Sequence, residues 1–119
     1  MEERKSFKQL FKNKKILVTG HTGFKGSWLS AWLHLLGAEV HGISLKNPPS
    51  EPSHFDVGEF SKFVKGRSID IRISKKLSDC IIDIKPDFVF HLAAQSIVKR
   101  SYEDPVETFH VNALGTLNL

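Results

Sequence analysis

Three glycines spaced three residues apart, Gly20, Gly23 and Gly26, are the part of this sequence best suited to bind a phosphate. They follow a short apolar run, residues 15–19, and precede an amphipathic stretch. In a strand–turn–helix of this kind, backbone N–H groups and the positive end of the helix dipole face a bound anion. The first glycine permits the tight turn, the second a close approach to pyrophosphate, and the third close helix packing. The pattern predicts a dinucleotide site; the alternative is an ordinary glycine-rich strand-to-helix turn.

The elements around this turn follow from periodicity in the first half of the chain. Residues 1–13 are expected to form a polar leader with one helical turn, and residues 15–19 the first strand. An apolar stripe over 24–36, including Trp28 and Trp32, predicts a helix with both tryptophans in the core. A second strand is predicted at 39–45. It is followed by a proline-rich loop over 46–59, in which His54 is expected to be solvated.

The second half of the chain repeats the alternation of strand and helix. Strands are predicted at 67–70 and 87–92, the latter apolar enough to be covered on both faces. A helix is predicted over 74–84 with Ser74 as its N-cap. After a polar loop, a last helix begins at Asp104-Pro105 and runs to Leu119 without a stop signal, with an apolar stripe formed by Val106, Phe109, Ala113 and Leu117.

This order of elements predicts an α/β fold, a doubly wound parallel sheet of the Rossmann type with strand order 3-2-1-4. Residues 14–119 are therefore expected to form the N-terminal part of a dinucleotide-binding domain. In such sheets ligands bind at the carboxyl ends of the strands, where the strand order reverses between strands one and four.

Composition indicates the class of protein and the compartment in which it folds. The 119 residues suit one soluble domain, with 40% apolar and 25% charged residues. The lone Cys80 excludes an intrachain disulfide and is expected to be buried; it fits a reducing cytoplasm, the location that we predict. No secretory signal and no apolar run long enough to span a bilayer are visible.

The net charge of +4 lies largely near the N-terminus. Its basic residues are Arg4, Lys5, Lys8, Lys12, Lys14 and Lys15. A nucleic-acid or membrane patch is one interpretation. A solvated segment is favoured, because Glu2 and Glu3 dilute the charge and no aromatic stacking platform accompanies it. We therefore predict no nucleic-acid or membrane partner, and the absence of metal-site spacing predicts no metal.

The run Thr19-Gly-His-Thr-Gly-Phe-Lys-Gly26 resembles the signature of the extended short-chain dehydrogenase/reductase family, the nucleotide-sugar epimerases and dehydratases. The resemblance places cofactor-binding residues in the turn and after strands three and four: Gly20, Thr22, Gly23, Phe24, Lys25, Gly26, Asp70, Ile71, Leu92, Ala93, Ala94 and Gln95. It implies that Asp70 and Ile71 contact the adenine end and that residues 91–94 pass under the nicotinamide ribose. It also places Ser96, Arg100 and Asn112 near the sugar substrate.

Within this family, residues 20–29 and 101–108 are most similar to the CDP-glucose 4,6-dehydratases. The resemblance implies NAD as cofactor, a CDP-glucose-type nucleotide sugar as substrate and a homo-oligomeric intact enzyme. It also implies a Tyr-x-x-x-Lys pair as the catalytic base. The only tyrosine here is Tyr102, and Val106 stands four residues later. No catalytic residue is therefore assigned, and these residues alone are expected to be inactive.

Several alternatives remain open from the residues. Glu39 lies at the entry of strand two, where an acidic residue cannot reach a ribose, and Lys46 at the exit would tolerate the 2′-phosphate of NADP. His21 either contacts the cofactor or points to solvent, and His91 is expected to be a hydrogen-bonded structural residue. A non-catalytic dinucleotide-binding module, the same part of another epimerase or dehydratase, and an unstable truncated product are the competing functional interpretations.

Overall fold

The computed structural model describes residues 6–119, so Glu2, Glu3, Arg4 and Lys5 of the basic segment lie outside the described residues. A parallel sheet of four strands forms its centre, in the predicted order β3-β2-β1-β4. The strands are β1 (Lys15–Thr19), β2 (Glu39–Ser44), β3 (Val64–Ser68) and β4 (Phe88–His91). In the register, Thr19 lies opposite Ile43 of β2 and His91 of β4, so these three strands end at one edge.

Helices cover both faces of this sheet. They are α1 (Phe7–Phe11), α2 (Phe24–Leu35), α3 (His54–Val57), α4 (Ser74–Ile84), α5 (Val98–Glu103), α6 (Pro105–Phe109) and α7 (Gly115–Leu117). A π-helical stretch, His110–Leu114, joins α6 to α7. We refer to residues 105–117 as the last helix. One core cluster includes Leu33 of α2, and the other includes Leu77 of α4.

The central strand β1 divides its side chains between these two cores. Ile16 and Val18 belong to the α2 side and Leu17 to the α4 side, and all three are fully buried. Successive side chains of a strand point to opposite faces, so a strand covered on both sides is apolar at every position. Burial of each such side chain contributes roughly 1.5–3 kcal/mol, which makes β1 the best-anchored strand. The glycine turn follows directly from it.

The prediction that the two tryptophans lie in the core is wrong. Trp28 is 56% exposed and Trp32 is 51% exposed. The buried face of α2 consists instead of Gly26, Ser27, Ser30 and Leu33. The glycine and the two serines bring the helix backbone close to the sheet, and the large rings point outward. Trp32 stacks on Phe7 of α1, with ring centroids 5.3 Å apart.

The 46–59 loop is more ordered than the sequence predicts. It contains α3, Phe55 is buried in the α2-side core, and Phe60 packs against the same cluster. His54 is not solvated as predicted: its Nδ1 lies 2.6 Å from the Ser27 hydroxyl, and its ring lies against Trp28.

The start of one strand, the cap of one helix and the conformation of one loop in the second half differ from the prediction. Strand β3 begins at Val64, earlier than the predicted residue 67. The sequence pattern missed this start because the middle residues of this edge strand are exposed and lack an apolar pattern. Ser74 is the first residue of α4; the N-cap is Ile73, without a side-chain cap. Helix α5 occupies the predicted polar loop.

The last helix begins as predicted but buries a different face. The Asp104 side chain accepts a hydrogen bond from the N–H of Glu107, and Pro105 occupies the first turn. Val106, Phe109 and Leu117 are exposed, so the predicted apolar stripe is wrong. Val111 and Gly115 face the α4-side core instead. Strand β4 is likewise less covered than expected, since Val89 is 45% exposed. Within residues 6–119, no helix is long and apolar enough to cross a membrane.

Candidate dinucleotide-binding site

The turn after β1 is held tightly between its neighbours. Gly20 has φ +73°, a conformation that side chains rarely adopt, and its N–H donates to the Ile43 carbonyl at 2.7 Å. A Cβ at Gly20 would lie 2.8 Å from the Ala93 nitrogen. The first glycine therefore permits the turn and also brings the segment after β4 against it.

The N-terminus of α2 is open toward this turn. Gly23 is the N-cap and offers no side-chain hydrogen bond. The first backbone bond of the helix runs from the Ser27 N–H to the Gly23 carbonyl at 2.8 Å. Within the described part of the chain, the N–H groups of residues 24–26 have no acceptor. Three free N–H groups at a helix N-terminus form a site for an anion such as a phosphate.

The second and third glycines differ in how much space they have. A Cβ at Gly26 would lie 2.1 Å from the Gly20 carbonyl oxygen, so α2 begins in direct contact with the turn. A Cβ at Gly23 would meet only the same oxygen, at 3.3 Å. Gly26 is thus required by packing, whereas Gly23 borders open space in front of the helix N-terminus.

The ring of His21 is in neither of the two expected places. It is 3% exposed and packs under the turn, edge-on to Phe55. A Cβ on Gly42 would lie 2.3 Å from this ring and one on Gly66 2.9 Å, so glycines on β2 and β3 make room for it. Its Nδ1 is buried without a hydrogen-bond partner. Burial lowers the pKa of His21, and the neighbouring Ile43 backbone opposes the shift.

The lowered pKa of His21 predicts a loss of stability in mild acid. The unfolded chain takes up a proton near the ordinary histidine value of 6.5, where the folded ring stays neutral. The stabilising contribution is therefore complete above that pH and is lost as the pH falls through the folded pKa. We expect the free energy of unfolding in urea to fall between about pH 7.5 and about pH 5.5, and less steeply in His21→Asn. Parallel pH dependences in the two proteins would contradict this prediction.

The segment after β3 carries the predicted adenine-contact residues. Ile71 is buried in the α4-side core, and Asp70 is partly exposed. Both carboxylate oxygens of Asp70 accept hydrogen bonds from Arg72, at 2.6–3.0 Å, and this partner lowers the pKa of Asp70. The Arg72 guanidinium also lies 3.9 Å from Glu107 of the last helix. Arg72, which the sequence did not single out, orients the carboxylate.

The segment after β4 lies directly beside the glycine turn. The N–H groups of Leu92 and Ala93 donate to the Thr19 hydroxyl at 3.1 and 3.2 Å. The Asn112 side chain binds the backbone of Gln95 twice, accepting from its N–H at 2.8 Å and donating to its carbonyl at 2.9 Å. The structure therefore brings the segments after β1 and β4 together, and Asn112 holds the latter in place.

The remaining predicted residues lie further out. Ala94 and Ser96, on either side of Gln95, are exposed. Arg100 of α5 forms an ion pair with Glu107 at 2.7 Å. Glu39, at the opposite end of the sheet, binds His41 at 2.7 Å and Lys65 at 3.0 Å, so it has no place in this site. Among residues 6–119 no cluster of side chains has the composition of a metal site.

Comparison with known proteins identifies this arrangement. The family model described as GDP-mannose 4,6 dehydratase matches residues 17–119. The chain belongs to the GDP-mannose 4,6-dehydratase family. It is 46% identical over 112 residues to the CDP-glucose 4,6-dehydratase of Salmonella typhimurium, covering 94% of this chain and 31% of the relative. It is 38% identical over 111 residues to the GDP-mannose 4,6-dehydratase of Vibrio cholerae, covering 89% and 30%.

A solved structure supports the same fold. The UDP-glucose 4-epimerase of Thermus thermophilus, determined in complex with NAD, aligns with a TM-score of 0.74 and 37% identity. The alignment covers 88% of this chain and 32% of the epimerase. The resemblance inferred from the glycine turn is thereby confirmed. The chain spans about a third of the length of the curated relatives that it matches.

Proposed function

We propose that this chain forms the NAD-binding part of a nucleotide-sugar 4,6-dehydratase. The observation that carries the proposal is the open N-terminus of α2 at Gly23, beside the segment after β4 at the carboxyl edge of the sheet. A pyrophosphate fits such a position, since free N–H groups and the helix dipole both favour a negative charge. The NAD-bound epimerase with the same fold supports this choice of ligand.

The flanking segments define the two ends of the proposed site. Asp70 and Ile71 would contact the adenine end, and residues 92–95 would lie under the nicotinamide ribose. Bound NAD would supply reversible hydride transfer with the sugar. Asn112, Ser96 and Arg100 are proposed to lie on the substrate side, next to the nicotinamide segment. In this proposal the residues of the chain bind and orient the cofactor and the substrate, and they do not supply the catalytic base.

CDP-glucose is the substrate that we propose, because the Salmonella relative with that activity shares 46% identity with this chain. The lack of a Tyr-x-x-x-Lys pair among these residues leads us to expect no dehydration by the 119 residues alone, since Tyr102 is exposed and followed four residues later by Val106. A dinucleotide-binding module without catalysis is the second candidate, and the lack of a Tyr-x-x-x-Lys pair among these residues favours it.

Calorimetric titration of the purified chain with NAD and with NADP tests the proposal. We expect saturable binding of NAD and weaker binding of NADP, because the segment after Ser44 offers one cation, Lys46, for a 2′-phosphate. Absence of heat with both nucleotides, in a chain that unfolds cooperatively, would refute dinucleotide binding. Tighter binding of NADP would reverse the choice of cofactor. Incubation with NAD and CDP-glucose tests the expected inactivity, because formation of the 4-keto-6-deoxy sugar by these residues would contradict it and would exclude the non-catalytic module.

A further inference from the structure

A directed chain of hydrogen bonds runs from β1 to the last helix through His91. It begins at the Thr19 hydroxyl, whose oxygen accepts the N–H groups of Leu92 and Ala93. A hydroxyl oxygen has two lone pairs and one proton. The Leu92 N–H is shared with the Thr19 carbonyl at 3.1 Å, and the Ala93 N–H donates to the hydroxyl at 3.2 Å. With two N–H groups directed at the oxygen, we assign the hydroxyl proton to the bond with the His91 Nδ1, 2.6 Å away. The Nδ1 atom is therefore an acceptor without a proton.

The other end of the hydrogen-bond chain places a proton on Nε2. The Thr116 hydroxyl donates to the Asn112 carbonyl at 2.7 Å, and a carbonyl oxygen only accepts. Toward His91 the Thr116 oxygen is thus an acceptor, and the His91 Nε2–H donates to it at 2.9 Å. The Thr116 end requires a proton on Nε2, and the Thr19 end requires an unprotonated Nδ1, so together they assign a neutral imidazole with its proton on Nε2. A ring protonated on Nδ1 would face the Thr19 proton.

This series of hydrogen bonds connects the two elements that hold the segment after β4. Thr19 binds the start of that segment through the N–H groups of Leu92 and Ala93. Asn112, whose carbonyl terminates the chain, binds the other end at Gln95 through its side chain. His91 lies between these two anchors, and its ring spans from strand to helix.

We propose that His91, as the Nε2–H tautomer, is a positioning residue that fixes residues 92–95 for the nicotinamide half of the cofactor. The inference rests on the proposed function, because it assigns those residues to a bound NAD. His91 touches the anchors of the segment and not the ligand. Its effect is therefore confined to the nicotinamide end, and the phosphate site at Gly23 is independent of it.

The tautomer is measured directly on the purified chain by ¹⁵N NMR of the imidazole nitrogens. We expect the His91 Nδ1 to resonate as an unprotonated nitrogen and the Nε2 to carry a directly bonded proton, with no ligand present. Thr116→Ser keeps the hydroxyl and is expected to keep this pattern, whereas Thr116→Val removes the acceptor of the Nε2–H. A protonated Nδ1 in the unmodified chain would overturn the inference.

Comparing the binding of NAD and of ADP distinguishes a positioning role of His91 from a general loss of structure. ADP contains the adenine and pyrophosphate but lacks the nicotinamide riboside. In His91→Phe, which keeps an aromatic ring and loses both hydrogen bonds, we expect NAD binding to weaken roughly five- to tenfold and ADP binding to change less than about twofold. Thr116→Val is expected to act in the same direction, and Thr116→Ser to behave as the parent. The exposed His34, which stacks on Phe63 of the other face, supplies the control His34→Phe.

Failure of the proposed function and failure of the positioning role give different binding results. If the unmodified chain binds neither NAD nor ADP, the proposed function fails. If it binds both, and His91→Phe weakens both equally or neither, the positioning role fails while dinucleotide binding stands. Should His91→Phe not fold, the comparison of Thr116→Val with Thr116→Ser decides, since the Thr116 side chain is exposed on the last helix.

Discussion

Replacing Gly23 with valine is expected to abolish NAD binding while leaving the fold intact. The backbone at Gly23 has φ −70° and ψ 166°, an extended conformation that valine adopts readily. A Cβ there has one close neighbour, the Gly20 carbonyl oxygen at 3.3 Å, so the branched side chain extends into the open space before the helix N-terminus. Loss of two charge-assisted hydrogen bonds of about 1.5 kcal/mol each corresponds to an affinity at least about 100-fold lower.

Calorimetry with NAD measures this effect, and urea unfolding verifies that the variant is folded. Ser78→Val, which places the same side chain on the exposed face of α4, is the matched control and should bind NAD as the parent does. Gly23→Ala is expected to be intermediate. Undiminished affinity in Gly23→Val would refute the assignment of the phosphate to this turn.

Replacing Gly26 with alanine is expected to cost stability and not merely affinity. Its Cβ would lie 2.1 Å from the Gly20 carbonyl oxygen and 3.0 Å from the His21 Cα, and both are backbone atoms of a tight turn. The methyl group gains about 1 kcal/mol of helix propensity, but overpacking against backbone costs up to about 3 kcal/mol. We therefore expect a net loss of about 2 kcal/mol, a large part of the stability of a small domain.

Denaturation by urea quantifies this loss through the midpoint at unchanged slope. Gly23→Ala is the matched control, because the same methyl group three residues earlier meets its neighbour at 3.3 Å. We expect that control to change the free energy of unfolding by less than about 1 kcal/mol. Equal stability of Gly26→Ala and the parent would show that α2 is able to move away from the turn.

Apolar patterns over short stretches of sequence predicted much of the fold, because their period follows from the geometry of the strand or helix that they form. Strand β1 and helix α4 were predicted with the bounds that the structure shows, since a fully apolar strand and a helical stripe repeat over their whole length. The Asp104 cap was predicted from three residues. Edge elements were predicted less well: β3 has a single buried residue, so it contains little apolar pattern to recognise.

Predictions of burial failed where contact partners decide the outcome. An apolar stripe shows that a helix has two faces, but it does not show which face packs on the sheet. In α2 the small residues Gly26 and Ser30 pack inward, because a close approach to the sheet gains more contacts than large rings would allow. In the last helix, Gly115 against Ile71 has the same effect.

The sequence by itself determined the glycine turn, the order of strands and helices, and hence the edge of the sheet at which a ligand binds. These features depend on residues close together in the chain. The tertiary structure decided the buried position of His21, the pairing of Asp70 with Arg72 and the tautomer of His91. His91 and Thr19 are 72 residues apart in sequence and 2.6 Å apart between hydrogen-bonding atoms. No local pattern encodes such a contact, because it forms only when β1 and β4 pair in register.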